Sequence, residues 1–192
     1  GNTPRVWALT GGTVHIKPGE VLNYATIIIR NGLIEHVGED VKIPQDATIL
    51  DMHNKTIYPG FIDSWVEIPI QSQKKSYHDS HWNDKVNAGR ALSHLYKPDD
   101  KKLKALHKLG FTAAQILPDS GIFQGQTALV QLDDEGSILK GDVAQKITYE
   151  VDGWGSTKYP NALLGVVALM RQTFLDASWY QEASEMANRY PQ

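Results

Sequence analysis

Pro59-Gly60-Phe61-Ile62-Asp63-Ser64-Trp65-Val66-Glu67 is the stretch on which the fold turns. Composition changes at this point: β-rich sequence lies before it, mixed sequence after it. Phe61 to Ile68 reads as a strand, and on a strand residues i and i+2 point to the same face. Trp65 and Glu67 therefore share a face. An indole cannot ligate a metal, because its one nitrogen is a donor without a free lone pair. Glu67 could ligate through oxygen, but one carboxylate does not make a site.

Upstream, Arg5 to Leu9 and Thr13 to Ile16 are short β-rich runs separated by Gly11-Gly12. Ala25 to Arg30 and Leu33 to Val37 flank Asn31-Gly32, the strongest short hairpin signal, since a type I′ turn needs positive φ at both central residues. Ile27-Ile28-Ile29 is apolar without alternation, which suits a strand buried on both faces. A turn at Pro44-Gln45-Asp46 precedes two further strands, Thr48 to Asp51 and Lys55 to Tyr58. Together they predict a small sheet or half sandwich over residues 1–58.

Downstream, residues 69–100 read as a long polar loop with one short helix near Lys85 to Leu95. Asp99 or Asp100 caps a helix whose buried stripe is Leu103, Leu106 and Leu109, and Gly110 ends it. Phe111 to Leu117 is an apolar strand, so residues 61–117 form a βαβ unit with parallel strands. Ala128 to Leu132 and Gln145 to Glu150 read as further strands joined through the turn Asp133-Asp134-Glu135-Gly136, and residues 153–160 as a loop. From Asn161 the period becomes 3.6: Leu163, Val167, Met170, Phe174 and Ala177 share one face, continued by Trp179, Ala183, Met186 and Tyr190 after a break at Ala177-Ser178. No internal repeat or low-complexity segment is visible.

The chain has 192 residues and a net charge of −3, enough length for one large domain or two small ones. The lysines of 97–108 alternate with aspartates and leucines and form a solvated helix face, which points away from a nucleic-acid partner. No apolar run approaches the ~20 residues of a membrane span. Gly1-Asn2-Thr3-Pro4 reads as a trimmed or engineered start, and no signal peptide is visible. There is no cysteine, so disulfides and thiolate chemistry are ruled out, while the compartment stays open.

Four pieces in order resemble the amidohydrolase superfamily, in its imidazolonepropionase-like and prolidase-like branch. They are Ala8-Leu9-Thr10-Gly11-Gly12-Thr13-Val14; Ile27-Ile28-Ile29 with Arg30-Asn31-Gly32-Leu33-Ile34-Glu35-His36-Val37-Gly38; Ile49-Leu50-Asp51 through Pro59-Gly60-Phe61-Ile62-Asp63; and Leu106-His107-Lys108-Leu109-Gly110-Phe111-Thr112. In that family the third piece continues Asp-x-His-x-His, whereas here Trp65 and Glu67 stand at the two histidine positions. The resemblance implies an α/β fold with a β-rich N-terminus: part of a β-sandwich over 1–58, then an incomplete (β/α)8 barrel segment over 59–192. A whole barrel needs roughly 250 residues. It further implies that Gly60 and Asp63 are structural motif residues, and that this chain has no catalytic or metal-binding residues. A divalent metal such as zinc, which lowers the pKa of a bound water for attack on an amide or imide, is expected only in an active full-length parent. On the bland reading Trp65 fills the space left by metal and substrate, and Glu67 is solvated or paired.

His78-Asp79-Ser80-His81, with Asp84 nearby, is the only local cluster of ligand-type residues, and a polar loop is the competing reading. His15, His36, His53, His94 and His107 are isolated surface or edge residues. Gly121 to Gln126 carries neither a dinucleotide fingerprint nor a phosphate loop and is expected to turn the chain. Ser120 lacks the frame of a nucleophile elbow. Trp154, Trp179 and Tyr180 read as packing residues, with ligand stacking as the alternative.

Three functions follow. The first is an N-terminal fragment of an amidohydrolase-like protein whose parent cleaves carbon–nitrogen bonds, inert alone, partnered by the remainder of the parent chain. The second is a self-sufficient binding or assembly module whose open edges demand a partner, a second copy included. The third is an enzyme with a metal site at residues 78–84. The first is preferred. An exported, periplasmic or extracellular location is implied by the resemblance alone.

Overall fold

The structure, a computed structural model, describes residues 6–69, 81–151 and 156–190. The chain divides into two compact units, Gly1–Gly60 and Phe61–Gln192.

The first unit is one five-stranded sheet. Its strands are β1 (Val6–Lys17), β2 (Glu20–Arg30), β3 (Leu33–Gly38), β4 (Ala47–Asp51) and β5 (Thr56–Ile57), in the order β3-β2-β1-β4, with β5 also pairing to β1. β2 and β3 run antiparallel to their neighbours, whereas β4 and β5 join β1 in parallel. Asn31 (φ 53°) and Gly32 (φ 79°) both take positive φ, as the hairpin signal requires. The two strands expected on either side of Gly11-Gly12 are one continuous strand. The glycines do not end it; they sit at register shifts within it. Gly11 is at φ 79°, and a side chain there would strike the His53 ring. Ile28 packs with Val6 and Ala8, and Ile27 packs with Val14 and Ala25. Adjacent residues thus feed two cores, so β2 is covered on both faces.

The second unit contains β6 (Phe61–Ile68), α1 (Asp100–Lys108), β7 (Phe111–Pro118), β8 (Phe123–Gln126), β9 (Ala128–Gln131), β10 (Ile138–Lys140), β11 (Gln145–Ile147) and α2 (Leu163–Arg189). One sheet has the order β10-β9-β7-β6, and β8 and β11 form a separate ribbon. β6 and β7 are adjacent and parallel with α1 between them in sequence, a βαβ unit. Asp99 starts α1: its carboxylate accepts from the Lys101 N–H at 2.9 Å and the Lys102 N–H at 3.3 Å. Gly110, at φ 88°, follows the last turn. Leu92, Leu103, Ile116 and Val130 centre the core between this sheet and α1.

Several expectations are corrected here. Leu109 does not join the stripe of α1; it lies beyond the last helical residue and is exposed. Residues 85–95 hold no α-helix, only a 3₁₀ turn at Leu92–His94. The backbone there is used differently: Val86 and Ala91 make parallel bridges to Phe123 and Gln126. Phe123–Gln126 is therefore a strand, where a turn was expected. The Asp133 carboxylate accepts from the Ser137 N–H (2.9 Å) and hydroxyl (2.6 Å), closing a short hairpin that returns as β10. β11 pairs with β8 and not with β9.

α2 runs unbroken through Ala177-Ser178, and the Ser178 hydroxyl donates back to the Phe174 carbonyl at 3.1 Å, so it does not compete for the backbone with a turn. Its buried residues are Val166, Leu169 and Met170, packed with Val86, Ile122 and Phe123. Of the expected stripe Met170 is buried, but the inward face is turned away from the rest: Leu163, Val167, Phe174, Trp179, Met186 and Tyr190 are exposed.

Candidate functional site

The side chains of Trp65 and Glu67 meet at one ammonium group. A bulge between Asp63 and Val66 breaks the β6–β7 register, and the Asp63 carboxylate closes it by accepting from the Trp65 N–H at 3.0 Å. Beyond the bulge, Glu67 lies opposite Leu117 and Ile68 opposite Pro118, at the carboxyl ends of two parallel strands. β11 brings Lys146 over those ends. Its ammonium donates to Glu67 Oε1 at 2.5 Å and to the Pro118 carbonyl at 2.8 Å, and lies 5.1 Å from the centre of the Trp65 ring. A carboxylate, a carbonyl and an indole face converge on one cation.

The Lys146 side chain is only 5% exposed, so these partners take the place of water around its ammonium. Glu67 is half-exposed. The Lys146 hydrogen bond first, then its charge, hold the Glu67 carboxyl below the usual carboxylate range, with a smaller contribution from the Trp65 side chain. Gly125, opposite Lys146 in the ribbon, allows the approach of residue 90. At φ 123° it sits where a Cβ would lie 2.6 Å from the Arg90 carbonyl oxygen, which itself accepts from the Gln126 N–H.

These residues do not fit a metal ion. The indole has no lone pair to give, and the one carboxylate already faces a buried ammonium. Their strand alternates: Val66 and Ile68 face the other way, toward the α1 core and a cavity of about 340 Å³ lined also by Leu95, Leu103 and Leu106.

The other candidates do not assemble. His78 and Asp79 lie outside the described residues. His81 accepts at Nδ1 from the Asn83 N–H (3.1 Å), and its Nε2 stands 3.9 Å from Asp176. Among the described residues, no group of three or more His, Asp or Glu side chains could hold a metal. His15 stacks on Tyr58, His53 bonds Asp51 at 2.6 Å, and His107 Nε2 lies 2.6 Å from the Leu132 carbonyl. Trp154 is outside the described residues. Trp179 and Tyr180 are 69% and 71% exposed, so neither packs as expected. Among the described residues, no helix is long and apolar enough to cross a membrane.

Lys146 is the residue that sequence reasoning missed. Gln145 to Glu150 reads as a short strand, with nothing local to single out its lysine. Only the pairing of β11 with β8 turns that lysine inward, toward a carboxylate 79 positions away.

The mixed α/β architecture, with its β-rich N-terminal region, is similar to that of an amidohydrolase. An amidohydrolase from Thermotoga maritima MSB8 superposes with a TM-score of 0.72 over 95% of this chain and 50% of its own, at 22% identity. In sequence, a stretch of 70 residues is 37% identical to the dihydroorotase of Anaeromyxobacter dehalogenans strain 2CP-C, covering 35% of this chain and 16% of that protein. The dihydroorotase of Anaeromyxobacter sp. strain K matches over the same length at 34%. No family model matches. These likenesses support the amidohydrolase superfamily. The chain spans half the length of the Thermotoga protein, and its match covers 16% of the dihydroorotase.

Proposed function

We propose that this chain supplies the β-rich sheet and opening βα units of an amidohydrolase-like hydrolase of carbon–nitrogen bonds, and that this portion performs no metal chemistry itself. Trp65 and Glu67 take the strand positions that carry histidines in the family it resembles, and the Lys146 ammonium takes the part of the cation. The observation that carries the reading is the triple engagement of Lys146 by Glu67, Pro118 and Trp65. A metal ion would have to displace a buried ammonium from the one carboxylate that could ligate it. The whole protein's substrate is a carbon–nitrogen compound of the amide or imide class, processed with residues outside this set.

The test is metal analysis and turnover of the purified 192-residue chain, after incubation with Zn²⁺ or Mn²⁺ and gel filtration. We expect well under one metal per chain and no hydrolysis of dihydroorotate or of an X-Pro dipeptide. One metal retained per chain, lost on Glu67→Gln, overturns the reading.

A second reading, a non-catalytic assembly module, is favoured by the exposed aromatic and aliphatic side chains along α2.

A further inference from the structure

α2 has two apolar faces. One packs inside its own unit through Val166, Leu169 and Met170. The other consists of Leu164, Ala168, Leu175, Trp179, Met186 and Tyr190, all exposed. Their spacing alternates four and seven residues, an eleven-residue repeat. At ~3.67 residues per turn such a repeat runs almost straight along an α-helix. The stripe thus follows nearly the whole of the 27-residue helix, about 40 Å at 1.5 Å per residue.

The stripe is self-complementary. Turned end for end about its midpoint near Ala177, Leu164 meets Tyr190, small Ala168 meets Met186, and Leu175 meets Trp179. Arg171 and Glu182 lie on the same flank of the stripe. In an antiparallel pair of identical helices like flanks meet, so Arg171 of each chain faces Glu182 of the other. Neither has an ion-pair partner among the described residues. Antiparallel helices also place opposite ends of their dipoles together.

The area is sufficient. Apart from Ala168, the stripe side chains are 62–82% exposed. Two of them are aromatic, each carrying about 150–250 Å². With two leucines and a methionine they approach the roughly 800 Å² per partner of a standard interface.

We propose that the outward face of α2 is a homodimer interface, in which two copies of this chain pack α2 against α2 antiparallel about a two-fold axis near Ala177. An isologous contact of this kind closes on itself and stops at two.

Sedimentation equilibrium of the 192-residue chain tests this from about 1 to 100 µM, a range that reads micromolar dissociation constants. A monomer–dimer equilibrium is expected, with Trp179→Glu monomeric throughout and its far-ultraviolet circular dichroism unchanged. Arg171→Glu and Glu182→Arg should each weaken the dimer on the order of tenfold, because two symmetry-related pairs become repulsive at once. The double swap Arg171→Glu/Glu182→Arg should restore it, since the charges then exchange places. A monomer at all concentrations, species larger than a dimer, or a double swap no better than the single changes each overturns the proposal, as does a wild-type chain that binds only a different polypeptide through this face.

Discussion

At Glu67 one neighbour, Lys146, dominates the side chain's proton affinity. Because Lys146 holds the carboxyl below its ordinary value, the folded chain binds that proton less readily than the unfolded chain. The stabilisation is therefore complete above the ordinary carboxylate pKa of about 4.3 and fades as pH falls through the lower native value. Thermal melts of wild type and Glu67→Gln should differ by a constant gap from pH 6 to 8, narrowing below about pH 4; a gap that widens on acidification contradicts the pairing. At pH 7 the double variant Glu67→Gln/Lys146→Met should melt above Glu67→Gln alone, because the single change leaves a buried ammonium short of its counter-ion, whereas the pair of changes removes the charge. Gly125→Ala tests the neighbouring ribbon. Its positive φ alone costs about 1–3 kcal/mol, and the clash with the Arg90 carbonyl adds to that, so urea denaturation should show a markedly lower midpoint. The Trp65–Glu67 relation is legible in sequence, since alternation on a strand is local. Lys146 is not, because no short-range rule reaches across 79 positions.

At the level of elements, the parts legible in sequence are those whose signals are complete within a few residues. Asn31-Gly32 dictates its own φ angles, Asp99 caps α1 with its own carboxylate, and β6 is bounded as read. Strand pairing is different. β8 is short, holds two glutamines and a glycine, and exists because β11 and the 86–91 segment supply its hydrogen bonds. Such a strand carries little signal of its own. The orientation of α2 misleads for a related reason: two apolar faces on one helix make the period visible but not the choice between them. Alanine substitutions separate those faces. Leu169→Ala, at 1% exposure, should cost about 2–5 kcal/mol in denaturant melts. Leu175→Ala, at 62% exposure, should change the monomer's stability by about 0.5 kcal/mol or less. Equal losses at the two positions would mean that the inward face is assigned wrongly.

For the whole molecule, the two units have separate cores and should respond separately to damage. Ile28→Ala opens a cavity beside Val6 and Ala8, at about 2–5 kcal/mol. Hydrogen exchange followed by mass spectrometry should then show lost protection in β1 and β2, while α1 and β7 keep theirs. Uniform loss throughout would make the chain one cooperative body. The amidohydrolase-like architecture is legible in sequence because four local pieces occur in order, each tied to a turn or a strand. The assembly of the second unit is not, because its ribbon and sheet are joined by contacts distant in sequence. One of those contacts offers a kinetic handle. The Lys146 amine is shielded by the ends of β6 and β7, so an acylating reagent that marks surface lysines within minutes reaches it only when the β8–β11 ribbon lifts. Its labelling rate is a stopwatch for that opening, and in a chain without cysteine the readout is free of competing thiol adducts.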